Sequence, residues 1–498
     1  MQILLINAPS RRNSLVPPLG LLQVGAIIER LGCTVLIYDP ILDDPMLKDP
    51  IPKRLDMIVD DFKPNIIGYG GIATSYAKTK KYARYIRNKN KKIIQIAGGP
   101  LSSVYELLLM QAWLDVVVHG EAEVSLPLLL ERLEGGKPID NLPGISILKD
   151  GKVIRNPLPE QIKSLDTLPL PAYHLVELPR YFRHMKDNPG VYNDGLSKGR
   201  AKELVNIIGE DDRWIEIVTG RGCTHRCLFC YRHMKGVRYY SPDYVVKHIT
   251  YLKSNYGIRG FQFAEELFNG DINRVYDLCD AIEKNRLDIF YSVGGARVDK
   301  MDKAMMKRLK ETGCIEINYG QESGSDKILK EYRKGVTVSQ NKEITKLTIA
   351  EGLNCPVQLV IGSPGETDST IKETINFLKD VEGFQYSLNY LIPLPETPIW
   401  EYVREKELIK DVEEYLYVVS ERGGEPVVNL TEMPDRIWKR WRLKIKKEMR
   451  IYYFKKTNQK GRLLIEFFIY SIGEFIYPYV PPYIVNIAKR LLKNFISP

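Results

Sequence analysis

The first 135 or so residues alternate short apolar runs with stretches of helical period. Ile3–Ile6, Val35–Tyr38, Ile66–Tyr69, Ile93–Ala97 and Val116–His119 are rich in β-branched and aromatic residues and read as strands. Leu21–Leu31, Tyr76–Asn88 and Val124–Leu133 repeat apolar residues at helical spacing. Strands alternating with helices predict an α/β domain, a doubly wound parallel sheet covered on both faces. In such sheets ligands bind beyond the carboxyl ends of the strands. The loops there are Pro17-Pro18-Leu19-Gly20, Gly70-Gly71-Ile72-Ala73-Thr74-Ser75, Gly98-Gly99-Pro100 and Gly120-Glu121-Ala122-Glu123. Their glycines let backbone approach a bulky ligand closely. A phosphate-binding nucleotide fold would carry G-x-G-x-x-G after the first strand; a proline-bearing loop, Asn7 to Gly20, stands there instead.

Residues 136–212 break this rhythm. Ser164 to Tyr173 is a proline-punctuated linker, and 180–212 is polar with few periodic apolar positions, as in an insertion or lid. Strand signals then recur over 213–402 at Ile215–Thr219, Gly260–Ala264, Phe290–Val293, Ile315–Gly320, Val357–Gly362 and Tyr386–Ile392. The helical stretches Tyr244–Asn255, Ile272–Lys284, Ala304–Thr312, Asp326–Tyr332, Gln340–Glu351 and Ser369–Val381 separate them. Six β–α units predict a partial parallel barrel with its chemistry at the strands' carboxyl ends. Residues 403–498 form a helical, basic and aromatic tail.

A chain of 498 residues is long enough for two or three domains, and 44% hydrophobic content supports buried cores. Seven cysteines, four of them scattered singly in apolar segments, suit a reducing compartment, so a cytoplasmic protein is expected. The start, MQILLINAPS, lacks the charged region and long apolar run of a signal peptide and reads as a buried strand. No uninterrupted apolar stretch reaches the length of a spanning helix.

The other three cysteines are crowded into Arg221-Gly222-Cys223-Thr224-His225-Arg226-Cys227-Leu228-Phe229-Cys230-Tyr231, with C-x3-C-x2-C spacing. Thiolates so placed reach one metal cluster from a single loop. A [4Fe–4S] cluster normally takes four cysteines, so three leave one iron open to a ligand. Zinc is the competing reading, but structural zinc sites usually pair two short clusters, and no second C-x2-C or H-x3-H follows. A disulfide reading fails on the odd, crowded number.

The loop resembles the signature of the radical S-adenosylmethionine (SAM) enzymes. The resemblance implies that Cys223, Cys227 and Cys230 hold the cluster, that its open iron chelates SAM, and that SAM cleavage yields a 5′-deoxyadenosyl radical. Segments on successive strand ends extend it. Glu265-Glu266 resembles the acidic strand-two motif that meets the SAM amine, although Asp is commoner there. Arg297, in Gly294-Gly295-Ala296-Arg297, is placed to grip the SAM carboxylate. Gly320-Gln321-Glu322-Ser323-Gly324-Ser325 resembles the segment that meets the methionine and ribose, with Glu322 and Ser323 as contacts. Gly362-Ser363-Pro364-Gly365 resembles a turn near the adenine. Any one of these alone is as well explained by a turn or helix cap; their order behind the cysteines is what carries the reading.

Residues 1–135 resemble the Rossmann-like cobalamin-binding domains that precede many radical SAM cores, and the linker resembles the strap between the two. Pro18, Gly20, Ser75, Gly98, Gly99 and Glu121 become the candidate cobalamin contacts. The D-x-H-x-x-G motif that supplies a cobalt-ligating histidine is absent, and His119 has the wrong flanks, so cobalamin is expected without a histidine lower ligand and with its nucleotide tail detached. The resemblance implies C-methylation of an unactivated carbon through methylcobalamin. A radical cyclase or ring-rearranging enzyme, on a lipid for instance, is the rival, and a corrinoid sensor without enzymatic activity is opposed by the SAM-site series. An electron donor such as flavodoxin or ferredoxin is implied; the substrate, whether small molecule, peptide or lipid, is not legible.

The tail changes the picture of charge. Twelve Lys or Arg against two acids lie between Asp435 and Arg462, a net +10 that equals the excess of the whole chain. Trp438, Trp441, Ile445, Met449 and Tyr452 recur there at helical spacing, as in a helix packed on the barrel. The aromatic stretch 463–495 beside this charge also suits peripheral contact with an anionic membrane. Nucleic acid is the third reading, but no RNA-binding module is legible.

Overall fold

The computed structural model describes residues 1–10, 16–44, 51–184, 212–232, 234–422 and 425–461, with 463 and 470. The expected insertion at 180–212 and the aromatic stretch 463–495 lie almost wholly outside the described residues.

β1 (Gln2–Asn7), β2 (Thr34–Tyr38), β3 (Ile66–Gly70), β4 (Ile94–Gly98), β5 (Val116–Val118), β6 (Ile145–Lys149) and β7 (Lys152–Arg155) form one sheet in the order β2-β1-β3-β4-β5-β6-β7. β1 to β5 are parallel. Strand alternation sends Ile3, Leu5, Ile66 and Ile96 to one face, under Leu22, Ile28, Leu126 and Leu129. Leu4, Ile6, Ile67 and Ala97 face the other way, under Tyr76, Tyr82, Ile86 and Leu108. Both faces are therefore covered by helices, as the doubly wound pattern requires.

The sheet does not stop at residue 135. β6 and β7 add antiparallel to β5, so the expected boundary falls inside the domain. The reason is local: Asp150 and Gly151 both take positive φ (51° and 75°) and close a two-residue hairpin. The linker then threads its apolar residues, Leu165, Leu168, Tyr173, Leu178 and Tyr181, into the same core as the first sheet and the barrel.

The second sheet contains β8 (Arg183–His184) and β9 (Arg213–Ile217). A two-stranded hairpin of β10 (Gly220–Gly222) and β11 (Val237–Tyr239) leaves it, and the sheet continues as β12 (Ile258–Phe263), β13 (Phe290–Ala296), β14 (Cys314–Glu322), β15 (Val357–Ile361) and β16 (Tyr386–Tyr390). β9 and β12 to β16 are parallel, forming the open half-barrel, with β8 antiparallel at its edge.

The tail closes both domains. Helix Val412–Arg422 sets Tyr415, Leu416 and Val419 against the first sheet's second core. Helix Trp441–Lys456 buries Trp441, Ile445 and Met449, with Trp438, against Val357, Ile361 and Ile371 of the barrel. Trp441 Nε1 donates to Asp368 at 2.8 Å, and Lys444 pairs with Asp368 at 3.0 Å. The face of Trp438, Trp441, Ile445 and Met449 thus packs on the barrel, as its spacing predicts; the membrane reading turns on the stretch 463–495, which lies almost wholly outside the described residues. No helix among the described residues is long and apolar enough to cross a membrane.

Candidate active site between the two domains

The cysteine loop is held between its last two cysteines. Leu228 N donates to Tyr332 O (3.0 Å), Ile399 N donates to Leu228 O (2.9 Å), and the Phe229 ring meets Tyr332 edge-on at 5.2 Å. Cys227 is buried, and Cys223 and Cys230 are half-buried. A hydrogen bond from Cys230, with help from the Lys334 and Arg297 charges, holds the Cys227 thiol down to about 6 against the cost of burial; the same bond, then burial, pushes Cys230 up. The first proton to leave this pair is therefore that of Cys227. Among the described residues no three His, Cys, Asp or Glu side chains converge on a point fit for one ion. A cubane cluster gives each thiolate its own iron and needs no such point, so the donor set fits a cluster better than zinc.

The acids and bases at the neighbouring strand ends gather around this loop. Glu322 ends β14 at φ +61° and accepts from Lys334 Nζ at 2.9 Å. A Cβ on Gly320 would fall 2.3 Å from Glu322 Oε1 and 2.6 Å from Lys334 Nζ, so the pair occupies the space that the glycine leaves and any side chain there would shift it. Burial opposes the Lys334 charge, but Glu322 and Cys227 together hold its ammonium above the ordinary lysine value. Arg297 is buried; its Nε and Nη2 donate to Asp299 (2.7 and 3.1 Å) and Nη2 also to Lys334 O (3.1 Å). Of the acidic pair, Glu265 is buried and Glu266 exposed. Glu265 pairs with Arg274 at 3.2 Å, its Oε2 has no partner, and burial pushes the carboxyl up to about 7. Ser323 is buried, its hydroxyl accepting from Ser325 N within its own turn. Gly362 (φ +90°) and Ser363 donate their N–H groups to Glu366, whose other oxygen is unpartnered and whose carboxyl burial raises to about 7.

Opposite lies a cavity of about 390 Å³ at the carboxyl ends of β1, β3, β4 and β5. Pro18, Gly20, Gly98, Gly99 and Glu121 line it, with Gly70, Gly71 and Gly120. Ser75 does not: it is buried beside the cavity floor, its hydroxyl accepting from Ile72 N. The glycine floor offers a wide ligand backbone and no side chains, and β-strand aliphatics continue it inward, which fits a flat corrin. Both Glu121 oxygens are taken by Arg221 and Arg238, so it serves the wall through arginines and not as a free carboxylate. The linker's Tyr173 and the barrel's Arg221, Met234, Tyr240, Tyr244 and His248 supply the far wall. His119 is not on the wall; its Nε2 bonds Ser146 Oγ at 2.8 Å.

Two family models match the chain: the radical SAM superfamily over 217–378 and the B12-binding domain over 10–130. The chain belongs to the cobalamin-dependent radical SAM enzymes. Its cofactors are a [4Fe–4S] cluster, SAM and cobalamin. An uncharacterized methyltransferase of Pyrococcus horikoshii is 27% identical over 422 residues, 82% of this chain and 84% of the relative. The anaerobic magnesium-protoporphyrin IX monomethyl ester cyclase of Rubrivivax gelatinosus is 21% identical, over 90% of this chain and 77% of the relative. The solved cobalamin-dependent radical enzyme OxsB, with aqua-cobalamin and SAM bound, shares the fold at TM-score 0.66 and 18% identity, over 99% of this chain and 75% of that one. Three parts of this radical SAM enzyme's site were not foreseen from sequence. Lys334 looked like any solvated lysine beyond a helix. His248 reads as one apolar-face position of a barrel helix. Arg221 stands directly before the first cysteine's glycine, the one available hint.

Proposed function

We propose that this radical SAM enzyme methylates an unactivated carbon of its substrate. The observation that carries the proposal is the placement of the cysteine loop and the glycine-floored cavity on two facing domains, with Arg221 and Met234 of the loop's hairpin lining the cavity itself. Cys223, Cys227 and Cys230 hold the cluster. Arg297 binds the SAM carboxylate, Glu322 its amine or ribose, and the Gly362 turn its adenine. Pro18, Gly20, Gly98 and Gly99 carry cobalamin. When bound, these cofactors supply a 5′-deoxyadenosyl radical and a transferable methyl group. The protein's part is to hold them in register and exclude water; the Lys334–Glu322 and Arg297–Asp299 pairs brace the strand ends around the loop, with Arg297 and Glu322 buried. A flavodoxin or ferredoxin supplies the electron.

Methyltransferases among the relatives support this reading. A radical cyclisation without methyl transfer is the second reading, favoured by the cyclase that matches 90% of this chain. The substrate is a small molecule, peptide or lipid. The test is anaerobic incubation of the reduced holoenzyme with methyl-labelled SAM and a cell extract. Label in a new product, with 5′-deoxyadenosine formed alongside, is expected. A product formed without label, at the same yield of 5′-deoxyadenosine, would replace methylation by cyclisation.

A further inference from the structure

The three cysteines lie in the loop of the β10–β11 hairpin, and the stem of that hairpin is an electrostatic problem. Its register places Arg221 directly opposite Arg238. Like charges opposed on an antiparallel pair repel, and a two-stranded ribbon is marginal by itself. The two backbones stand close at the end of this stem: Gly222 takes φ +84°, and a Cβ there would lie 2.4 Å from Gly236 O.

The relief comes from the other domain. Glu121, in the loop after β5, accepts from Arg221 Nη1 (3.2 Å), Arg238 Nη1 (2.9 Å) and Nη2 (3.1 Å), and from Ile162 N (2.9 Å). Glu123 accepts from Arg221 Nη2 at 2.7 Å. The carboxylate side chains are only 3% and 7% exposed and the guanidinium side chains 16% and 15%. Two cations and two anions thus close a neutral set largely out of water, where screening is weak and forked arginine geometry is stiff. The same residues touch the cofactor cavity. Glu121, Glu123 and Arg221 line it, and Arg238 Nη2 stands 3.0 Å from the sulfur of Met234, which lines it too.

We propose that Glu121, Glu123, Arg221 and Arg238 form a positioning clamp that sets the separation of cobalamin from the iron–sulfur cluster. One side of the clamp is the cobalamin floor and the other is the stem from which the cysteine loop springs. The proposal rests on the cofactor assignment and is independent of whether methyl transfer or cyclisation follows.

Its test reads distance directly. Cob(II)alamin and the reduced cluster are both paramagnetic, and their dipolar coupling falls with the cube of separation. The holoenzyme is compared with Glu123→Gln and with Arg238→Lys, the second keeping charge and losing the fork. Iron and cobalamin contents should equal those of the parent, while the dipolar splitting shifts or spreads beyond the parent's line width in both variants. Superimposable dipolar spectra in fully loaded variants would overturn the proposal. Failure of both variants to hold the two cofactors would also overturn it, because the four residues would then be needed for folding and not for spacing. Where one variant loads and the other does not, the loaded one decides by the same criterion.

Discussion

At the scale of single residues, the cysteine loop makes the sharpest demand. Replacing Cys223, Cys227 and Cys230 by Ala should remove the brown chromophore and all SAM cleavage; about four irons per chain retained in the triple variant would refute the assignment. Arg297 is buried with Asp299 in place, so its proposed role calls on its remaining donors or on displacement of that partner. Arg297→Ala should weaken SAM binding by about 1.5–3 kcal/mol, a charged hydrogen bond's worth, in a titration of the apo-SAM holoenzyme. Unchanged affinity would make Arg297 a brace for Lys334 alone. Glu366 gives a pH prediction. Its carboxyl ordinarily titrates at 4.5 and burial raises it to about 7. Between those values the folded chain keeps the proton and the unfolded chain does not, so stability falls as pH rises through that window, by on the order of 3 kcal/mol in full. Glu265 acts in the same direction. In Glu366→Gln the drop in Tm from pH 5 to pH 7 should shrink and not vanish; an unaltered drop would mean that Glu366 is ionised in the fold.

At the scale of elements, what was legible in the sequence followed from period. The strands of both sheets are near-continuous apolar runs because both faces are buried, and β1 to β5, β9 and β12 to β16 of the parallel sheets fall where those runs lie. β6–β7 was missed because its outer positions, Lys149, Lys152 and Arg155, are polar, although Asp150-Gly151 was the available turn signal. β10 and β11 have three residues each and no period to read. The choice between Glu265 and Glu266 was not legible because neighbouring strand residues differ only in the face they meet. The tail's aromatic spacing was legible as a helix, but its partner was not, since packing on β15 and β16 is a long-range fact. Trp441 is fully buried in that interface. Trp441→Ala should cost about 3–5 kcal/mol, seen as a lower Tm, with cobalamin and iron contents intact at low temperature. A Tm equal to that of the parent would mean that the helix is not docked on the barrel in solution.

At the scale of the whole molecule, the two domains are not beads on a string. One core runs from Ile3 and Ile96 of the first sheet through Tyr173 of the strap to Ile215 and Phe261 of the barrel. The cofactor cavity opens inside that shared body, so its far wall belongs to the barrel, and this bears on the cobalt ligand. His119, the one histidine near a first-domain strand end, is turned to Ser146 and packed edge-on against Tyr105. His248 does line the cavity, but its Nε2 is engaged with the Tyr173 hydroxyl at 2.8 Å, and burial lowers it to about 4, so it is neutral at pH 7. Neutral imidazole is chemically able to ligate cobalt; what opposes it is the tyrosine bond and the position on the wall across from the glycine floor. We therefore expect the cob(II)alamin spectrum of the holoenzyme to lack nitrogen superhyperfine splitting. His248→Ala should leave that spectrum unchanged, while opening a space beside Tyr173 that loosens cobalamin binding. Nitrogen splitting that is present in the parent and disappears in His248→Ala would make the barrel, and not the cobalamin domain, the source of a lower ligand. Splitting that disappears instead in His119→Ala would require the β5 loop to turn its histidine out of the core on binding.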